Sequence, residues 1–262
     1  LYDQARQRNS SSQEVLRWLA QLASALQSLH AQGCVHRDVK GDNVLVRHSD
    51  CRALLTDFGS GRSPDASTLT PDILPPGTPA YRSPEAWLFS LQFMRERTAR
   101  YSAQPADDLF ALGVTAYRLV TGEYPELAEP SRDEAGTWHL QGLSSPAPLA
   151  LNPRVAPRLD ALILRMLAVR PEARGTAAEL AAALEQAAQL TNPESTRPLF
   201  EVSSRTPGAP PRVSSSSARH RPLRRRLVKA AALLALGAWV WWLIPSKLPE
   251  QPAAVSHSAG GP

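Results

Sequence analysis

Two carboxylates, a lysine and a side-chain amide stand in a fixed order near the start of this chain. His36-Arg37-Asp38-Val39-Lys40-Gly41-Asp42-Asn43 is followed, after a short gap, by Asp57-Phe58-Gly59. A carboxylate two residues from a lysine can accept a proton beside a cation. Asn43 and Asp57 offer the hard oxygen ligands needed by a divalent ion that bridges phosphates. Together these groups are the equipment of phosphoryl transfer. Two apolar runs, Val44-Leu45-Val46 and Ala53-Leu54-Leu55-Thr56, flank the polar stretch His48-Ser49-Asp50, which predicts a small hairpin. Asp38 and Asn43 precede its first strand and Asp57 follows its second, so pairing the strands brings them to one edge.

These motifs resemble the catalytic loop and metal-binding turn of eukaryotic-type (Hanks-type) serine/threonine protein kinases, of the bacterial membrane-anchored kind. The resemblance implies catalytic roles for Asp38, which takes the acceptor hydroxyl proton, and Lys40, which neutralises charge on the γ-phosphoryl group. It implies that Asn43 and Asp57 hold Mg²⁺ against the phosphates of ATP, with Phe58 packing to orient the motif. Leu45 aligns with the floor beneath adenine, although a core leucine describes it equally well. Gly77-Thr78-Pro79-Ala80-Tyr81-Arg82-Ser83-Pro84-Glu85 is similar to the end of a kinase activation segment, with Ser83 where alanine is usual. Thr78 is then expected to contact Asp38 and Lys40, and Glu85 to pair with Arg174. Asp108 resembles the aspartate that opens the family's central helix and receives backbone N–H groups from the catalytic loop. Its neighbour Asp107 is expected to face solvent. Ser60, Ser63, Ser67, Thr68 and Thr70 are candidate phosphorylation sites that could order the loop through Arg37. The connection over residues 86–105 is longer than the family's usual one.

The elements that must position these groups are legible as periodicity. Val15, Trp18, Leu19, Leu22, Leu26 and Leu29 have helical spacing over residues 11–31, with Ser11 and Glu14 in capping-box positions and Gly33 beyond the end. Residues 108–121 predict an apolar helix ending at Gly122. Residues 157–169 predict another, with Leu159, Leu162, Ile163, Met166 and Leu167 inward. A third begins at the Thr176/Glu179 capping pair and buries Leu180, Leu184, Ala187 and Leu190. The expected fold class is α+β, mainly α: a kinase-like large lobe at 1–190 carrying a small catalytic hairpin.

Beyond that, residues 191–226 are rich in Pro, Ser and Arg and offer too little apolar surface to offset chain entropy, so a disordered linker is expected. Residues 227–244 are apolar apart from Lys229 and would span about 27 Å as a helix, close to the hydrocarbon thickness. Trp239, Trp241 and Trp242 gather at the far end, and the run Arg219 to Arg226 precedes the near end. This predicts a single-pass transmembrane helix, a cytoplasmic kinase portion at the cell membrane and a short external tail at 245–262. The net charge of +5 is concentrated in that basic run, which lacks interleaved aromatics, so no nucleic-acid partner is expected. The two cysteines, Cys34 and Cys51, form no disulfide or metal framework, and no internal repeat is evident.

The expected partners are therefore ATP, Mg²⁺, a protein substrate with a Ser/Thr acceptor, and the membrane, with homodimer formation for autophosphorylation a further option. The chain begins at Leu1-Tyr2-Asp3 without a Gly-rich loop, a Val-Ala-Ile-Lys-like strand or its partner glutamate. The resemblance thus covers the large lobe only. Two readings stand: a serine/threonine kinase whose small lobe is supplied elsewhere in the gene product, or a catalytically inactive kinase-like interaction module.

Overall fold

Helix α4 (Pro105–Thr121) is apolar nearly all round, and most of the fold serves to cover it. Asp107 caps its start reciprocally with Gln104, and Gly122, at φ 82°, ends it in the left-handed conformation that glycine adopts at least cost. The structure, a computed structural model, describes residues 1–58, 73–75 and 77–200. Where α6 (Pro157–Met166) crosses α4, Gly113 lets the backbones approach: a Cβ there would lie 2.8 Å from the Cβ of Met166.

A short helix, α1 (Tyr2–Arg8), leads into α2 (Ser12–His30), whose apolar stripe is buried from Val15 to Leu26 as its spacing predicts, with Leu29 half-buried. The expected capping box is present: Glu14 N donates to Ser11 Oγ at 3.3 Å and Ser11 N to Glu14 Oε2 at 3.0 Å. On one side α2 packs against α8 (Ala177–Gln189), where Gln13 Nε2 reaches the Ala188 carbonyl at 2.9 Å. On the other it carries the hairpin. Strands β1 (Val44–Val46) and β2 (Ala53–Leu55) pair antiparallel with Val44 opposite Leu55 and Val46 opposite Ala53. These four residues face inward, and Trp18 Nε1 holds the turn through the Cys51 carbonyl at 2.9 Å. Packing thus fixes the edge from which Asn43 and Asp57 emerge.

The remaining described elements are α3 (Pro84–Gln92), a two-residue ladder of β3 (Ser131–Arg132) with β4 (Trp138–His139), α5 (Pro148–Leu151), α7 (Pro171–Arg174) and α9 (Pro193–Thr196). The β3–β4 ladder was not foreseen, being too short for a periodic signal. The long 86–105 connection folds onto the lobe: Phe89 stacks on Phe93 and Tyr101, and Tyr101 N donates to Ile73 O at 2.8 Å.

Three expectations need correcting. Helix α6 ends at Met166 rather than Val169, because Leu167 leaves helical geometry ahead of Pro171, and Leu162 is only half-buried. Leu190 is 42% exposed, since α8 stops at Gln189 and its extended successor swings off the buried stripe. Residues 191–200 are not disordered: Leu199 is buried, its N–H donates to Ser10 O at 3.0 Å, and Phe200 N reaches Asn9 Oδ1 at 3.2 Å. Two apolar side chains and backbone bonds to the α1–α2 junction hold a stretch whose composition alone reads as linker. The folded unit therefore extends at least to residue 200. Among the described residues no helix is long and apolar enough to cross a membrane. The rest of the expected linker, the predicted span 227–244 and the tail 245–262 lie outside the described residues, as do Gly59, Ser60, Ser63, Ser67, Thr68 and Thr70.

One ion pair ties the lobe together. Arg174 is fully buried and fork-bonded to Glu85, Nη1 to Oε1 at 2.6 Å and Nη2 to Oε2 at 2.8 Å, as the resemblance implies. Its remaining donors meet the carbonyls of Ala106, Ala168 and Val169, and Phe110 lies under the guanidinium. Removing one member of such a pair strands a buried charge. Glu85→Ala is therefore expected to destabilise the unit by about 3 kcal/mol in urea denaturation, and a change under 1 kcal/mol would show the pair to be peripheral.

Candidate active site

Asp108, in the first turn of α4 and fully buried, collects three donors. His36 N and Arg37 N reach its two oxygens at 2.9 and 2.8 Å, and His30 Nε2 lies 2.8 Å from Oδ2. The bonds compensate a backbone cost: Arg37 sits at φ 70°, a left-handed conformation worth roughly 1–2 kcal/mol in a residue with a Cβ. The carboxylate thus turns the chain sharply just before Asp38. His36, also fully buried, accepts from Asp38 N at 3.4 Å through Nδ1, which leaves Nε2 as the N–H that meets the Thr56 carbonyl at 3.2 Å.

Asp38 is the hub of the polar cluster that follows. Lys40 Nζ donates to its Oδ2 at 2.7 Å, Thr78 Oγ1 to its Oδ1 at 2.9 Å, and Asn43 Nδ2 to its Oδ2 at 3.0 Å and its main-chain oxygen at 2.8 Å. Lys40 Nζ also donates to Thr78 Oγ1 at 2.9 Å, closing a triangle. Burial pushes the Asp38 carboxyl up, but the bonds from Lys40, Thr78 and Asn43 and the lysine charge together outweigh it and hold the group below the ordinary aspartate range. The result is an ionised carboxylate, fixed in direction, able to accept a hydroxyl proton beside an ammonium that can face a phosphoryl oxygen. The contact of Thr78 with both Asp38 and Lys40 is as expected.

Asn43 and Asp57 are brought together by the residue between strand and motif. Thr56 N and Oγ1 both donate to Asn43 O, at 2.9 and 3.0 Å, so Asp57 starts one residue from Asn43's strand partner. Asp57 is exposed and, at φ 62°, turns the chain away from the hairpin. Because the Asn43 amide spends its NH₂ on Asp38, its carbonyl oxygen is turned from that residue. Among the described residues no group of three or more His, Cys, Asp or Glu gathers into a metal site. Two hard oxygens, one carboxylate and one amide, nevertheless fit a magnesium ion that draws its other ligands from phosphates and water. Phe58 packs its ring on His36 at a centroid distance of 4.9 Å, which couples the Asp57 turn to the Asp38 loop. Leu45 is 58% exposed on the outer face of β1, which excludes the core alternative.

Asp107 does not face solvent. It is half-buried, accepting from Tyr101 OH at 3.0 Å, Gln104 N at 2.6 Å and Ser83 Oγ, and burial pushes its carboxyl up despite those bonds. A polar residue beside Asp108 in sequence carries no local sign of Ser83, a partner more than twenty positions away, or of the tyrosine that covers it. The same holds for His30 and for the buried tyrosine Tyr81, whose hydroxyl meets that of Tyr2 at 2.9 Å.

The comparisons agree with this geometry. The family model "Protein kinase domain" matches residues 2–184. The chain belongs to the protein kinase domain family. It is similar to serine/threonine-protein kinase PknA of Mycobacterium tuberculosis, 31% identical over 188 residues covering 72% of this chain and 41% of the relative. It is also similar to PknH of Mycobacterium bovis, 35% identical over 67% of this chain and 27% of the relative, and to Pkn1 of Myxococcus xanthus, 36% identical over 60% and 21%. The chain thus spans less than half the length of these relatives.

Thr78→Val removes a donor to Asp38, so the carboxyl is expected to rise toward the ordinary range in an NMR titration. A depressed carboxyl contributes stability that is present at neutral pH and lost as pH falls through its folded value. In the variant that contribution shrinks, and an unchanged titration would show that Thr78 does not hold the charge.

Proposed function

We propose that this chain is the large lobe of an ATP-dependent serine/threonine protein kinase, transferring the γ-phosphoryl group to Ser or Thr hydroxyls of proteins. The observation that carries the reading is the closed triangle of Asp38, Lys40 and Thr78, which sets a proton acceptor and a cation on either side of one point. Asp38 orients the acceptor hydroxyl and takes its proton as the oxygen attacks. Lys40 meets the charge on the transferring group, and Thr78 bonds to both side chains and fixes their direction. Asn43 and Asp57 would hold magnesium, which supplies positive charge against the phosphate oxygens when bound. Leu45, outward on β1, is available to the base of the nucleotide. A module without catalysis would have no need of this fixed network.

We further infer that residues 227–244 cross the cell membrane, with the kinase unit on the cytoplasmic side beside the basic run 219–226. The support is the length and apolarity of the segment and the placement of arginine and tryptophan at its opposite ends. Homodimer formation would let one copy phosphorylate another.

In the full-length protein, Asp38→Asn is expected to lower phosphate transfer from Mg-ATP to a Ser/Thr substrate by about 10²–10⁴-fold with an unchanged circular dichroism spectrum. Transfer at the parent rate would remove Asp38 from the mechanism. Deleting residues 227–244 is expected to move the protein from the membrane to the soluble fraction, and unchanged fractionation would refute the span.

A further inference from the structure

We propose that Arg118 and Arg82 make this a kinase for acidic acceptors, each reading an Asp or Glu side chain close to the Ser or Thr that takes the phosphate. The proposal rests on the phosphoryl-transfer reading above and adds the substrate class to it.

Thr78 is followed by a tight turn over Pro79–Tyr81, closed by Tyr81 N donating to Thr78 O at 3.0 Å. Arg118, in the last turn of α4, lies directly against that turn. Its Nη1 donates to Tyr81 OH at 3.3 Å, and its guanidinium sits 4.3 Å from the ring centre of Tyr2 and 4.5 Å from that of Tyr124. Tyr2 can come so near the catalytic loop because residue 41 is glycine: a Cβ there would fall 2.3 Å from Tyr2 Cζ. Three tyrosines therefore fix the cation against the turn that follows Thr78, and one of them, Tyr2, also packs on the loop at Gly41.

None of them neutralises it. Burial, reinforced by the Tyr2 hydroxyl, pushes the Tyr81 phenol up to about 12, so it stays uncharged. Asp42, exposed on the neighbouring turn, makes no ion pair with Arg118. The next residue after Tyr81 is a second half-buried arginine, Arg82, on a cleft with Pro79, Trp87, Pro125 and Leu127. Among the described residues no ion pair joins Arg82 or Arg118 to a carboxylate, and Arg118 is distinguished by being held in place by three tyrosines. One fixed cation, Arg118, and one half-buried cation, Arg82, thus lie at the turn that follows the Thr78–Asp38 contact, with no ion pair to a carboxylate among the described residues.

A guanidinium already immobilised by aromatic faces loses little further freedom when it takes a carboxylate through two parallel bonds. The turn from Thr78 to Tyr81 advances only about 2 Å per residue, against about 3.3 Å in an extended peptide. An acidic side chain within about two or three positions of the acceptor would therefore reach one of the arginines.

The test uses the full-length protein and three fluorescent peptides that share an acceptor position and differ in flanking Glu, Gln or Lys. Binding is read by anisotropy with alanine at the acceptor position, and transfer from Mg-ATP with serine there. The Glu peptide is expected to bind about tenfold tighter than the Gln peptide, with the advantage shrinking as salt rises. Arg118→Gln and Arg82→Gln should each reduce that ratio several-fold. Arg82→Gln lies outside the tyrosine cluster and keeps the test open if Arg118→Gln misfolds. Equal binding of Glu and Gln peptides, or a ratio untouched by Arg82→Gln, would overturn the proposal. Absence of transfer to all three serine peptides would instead overturn the kinase reading, while the binding ratio would still decide the acidic preference.

Discussion

The buried carboxylate of Asp108 is the constraint on which the rest of this lobe depends. It lies in the first turn of the most deeply buried helix and is bonded to two successive backbone N–H groups and a histidine. A buried anion of this kind must be satisfied by donors, and here they are the backbone of the loop that leads into Asp38 and the ring of His30 at the end of α2. The cost of placing Arg37 in a left-handed conformation is offset locally, so Asp38 leaves the turn in one direction only. From that direction follow the bonds to Lys40, Asn43 and Thr78.

The second fixed point is Arg174. By clamping Glu85 to the start of α4 and to the α6–α7 junction, it fixes the segment after Thr78 to the same helix that carries Asp108. Asp38 and Thr78 approach from sequence positions far apart, yet both refer their positions to α4. A site assembled from loops is thereby held as firmly as one built on a regular element. The outer rim differs in kind: Asp57, Phe58 and Leu45 are exposed.

Much of this was legible in the sequence because it is written in short, ordered motifs. The hairpin and the capping boxes at Ser11 and Thr176 stand where residue type and spacing put them, and the Glu85–Arg174 pair and the Asp108 anchor stand where the family resemblance implies. What escaped has a common cause. Asp107 takes its environment from Ser83 and Tyr101, and Arg118 from Tyr2, Tyr81 and Tyr124, and contacts that reach beyond one helix turn leave no local period. Residues 191–200 failed for the opposite reason: composition averages over a window, while Leu199 and Phe200 act as individual anchors. Helix ends slipped where the backbone leaves helical geometry, at Leu167 with its side chain still buried and at Leu190 with its side chain swung outward.

Hydrogen exchange on Asp108→Asn tests the anchor most directly, since the substitution keeps the shape and removes the charge. If the carboxylate holds the loop, the amides of His36 and Arg37 lose most of their protection while those in the middle of α4 keep theirs. Unchanged protection at His36 and Arg37 would mean that the loop is held by something else, and that the site does not depend on Asp108.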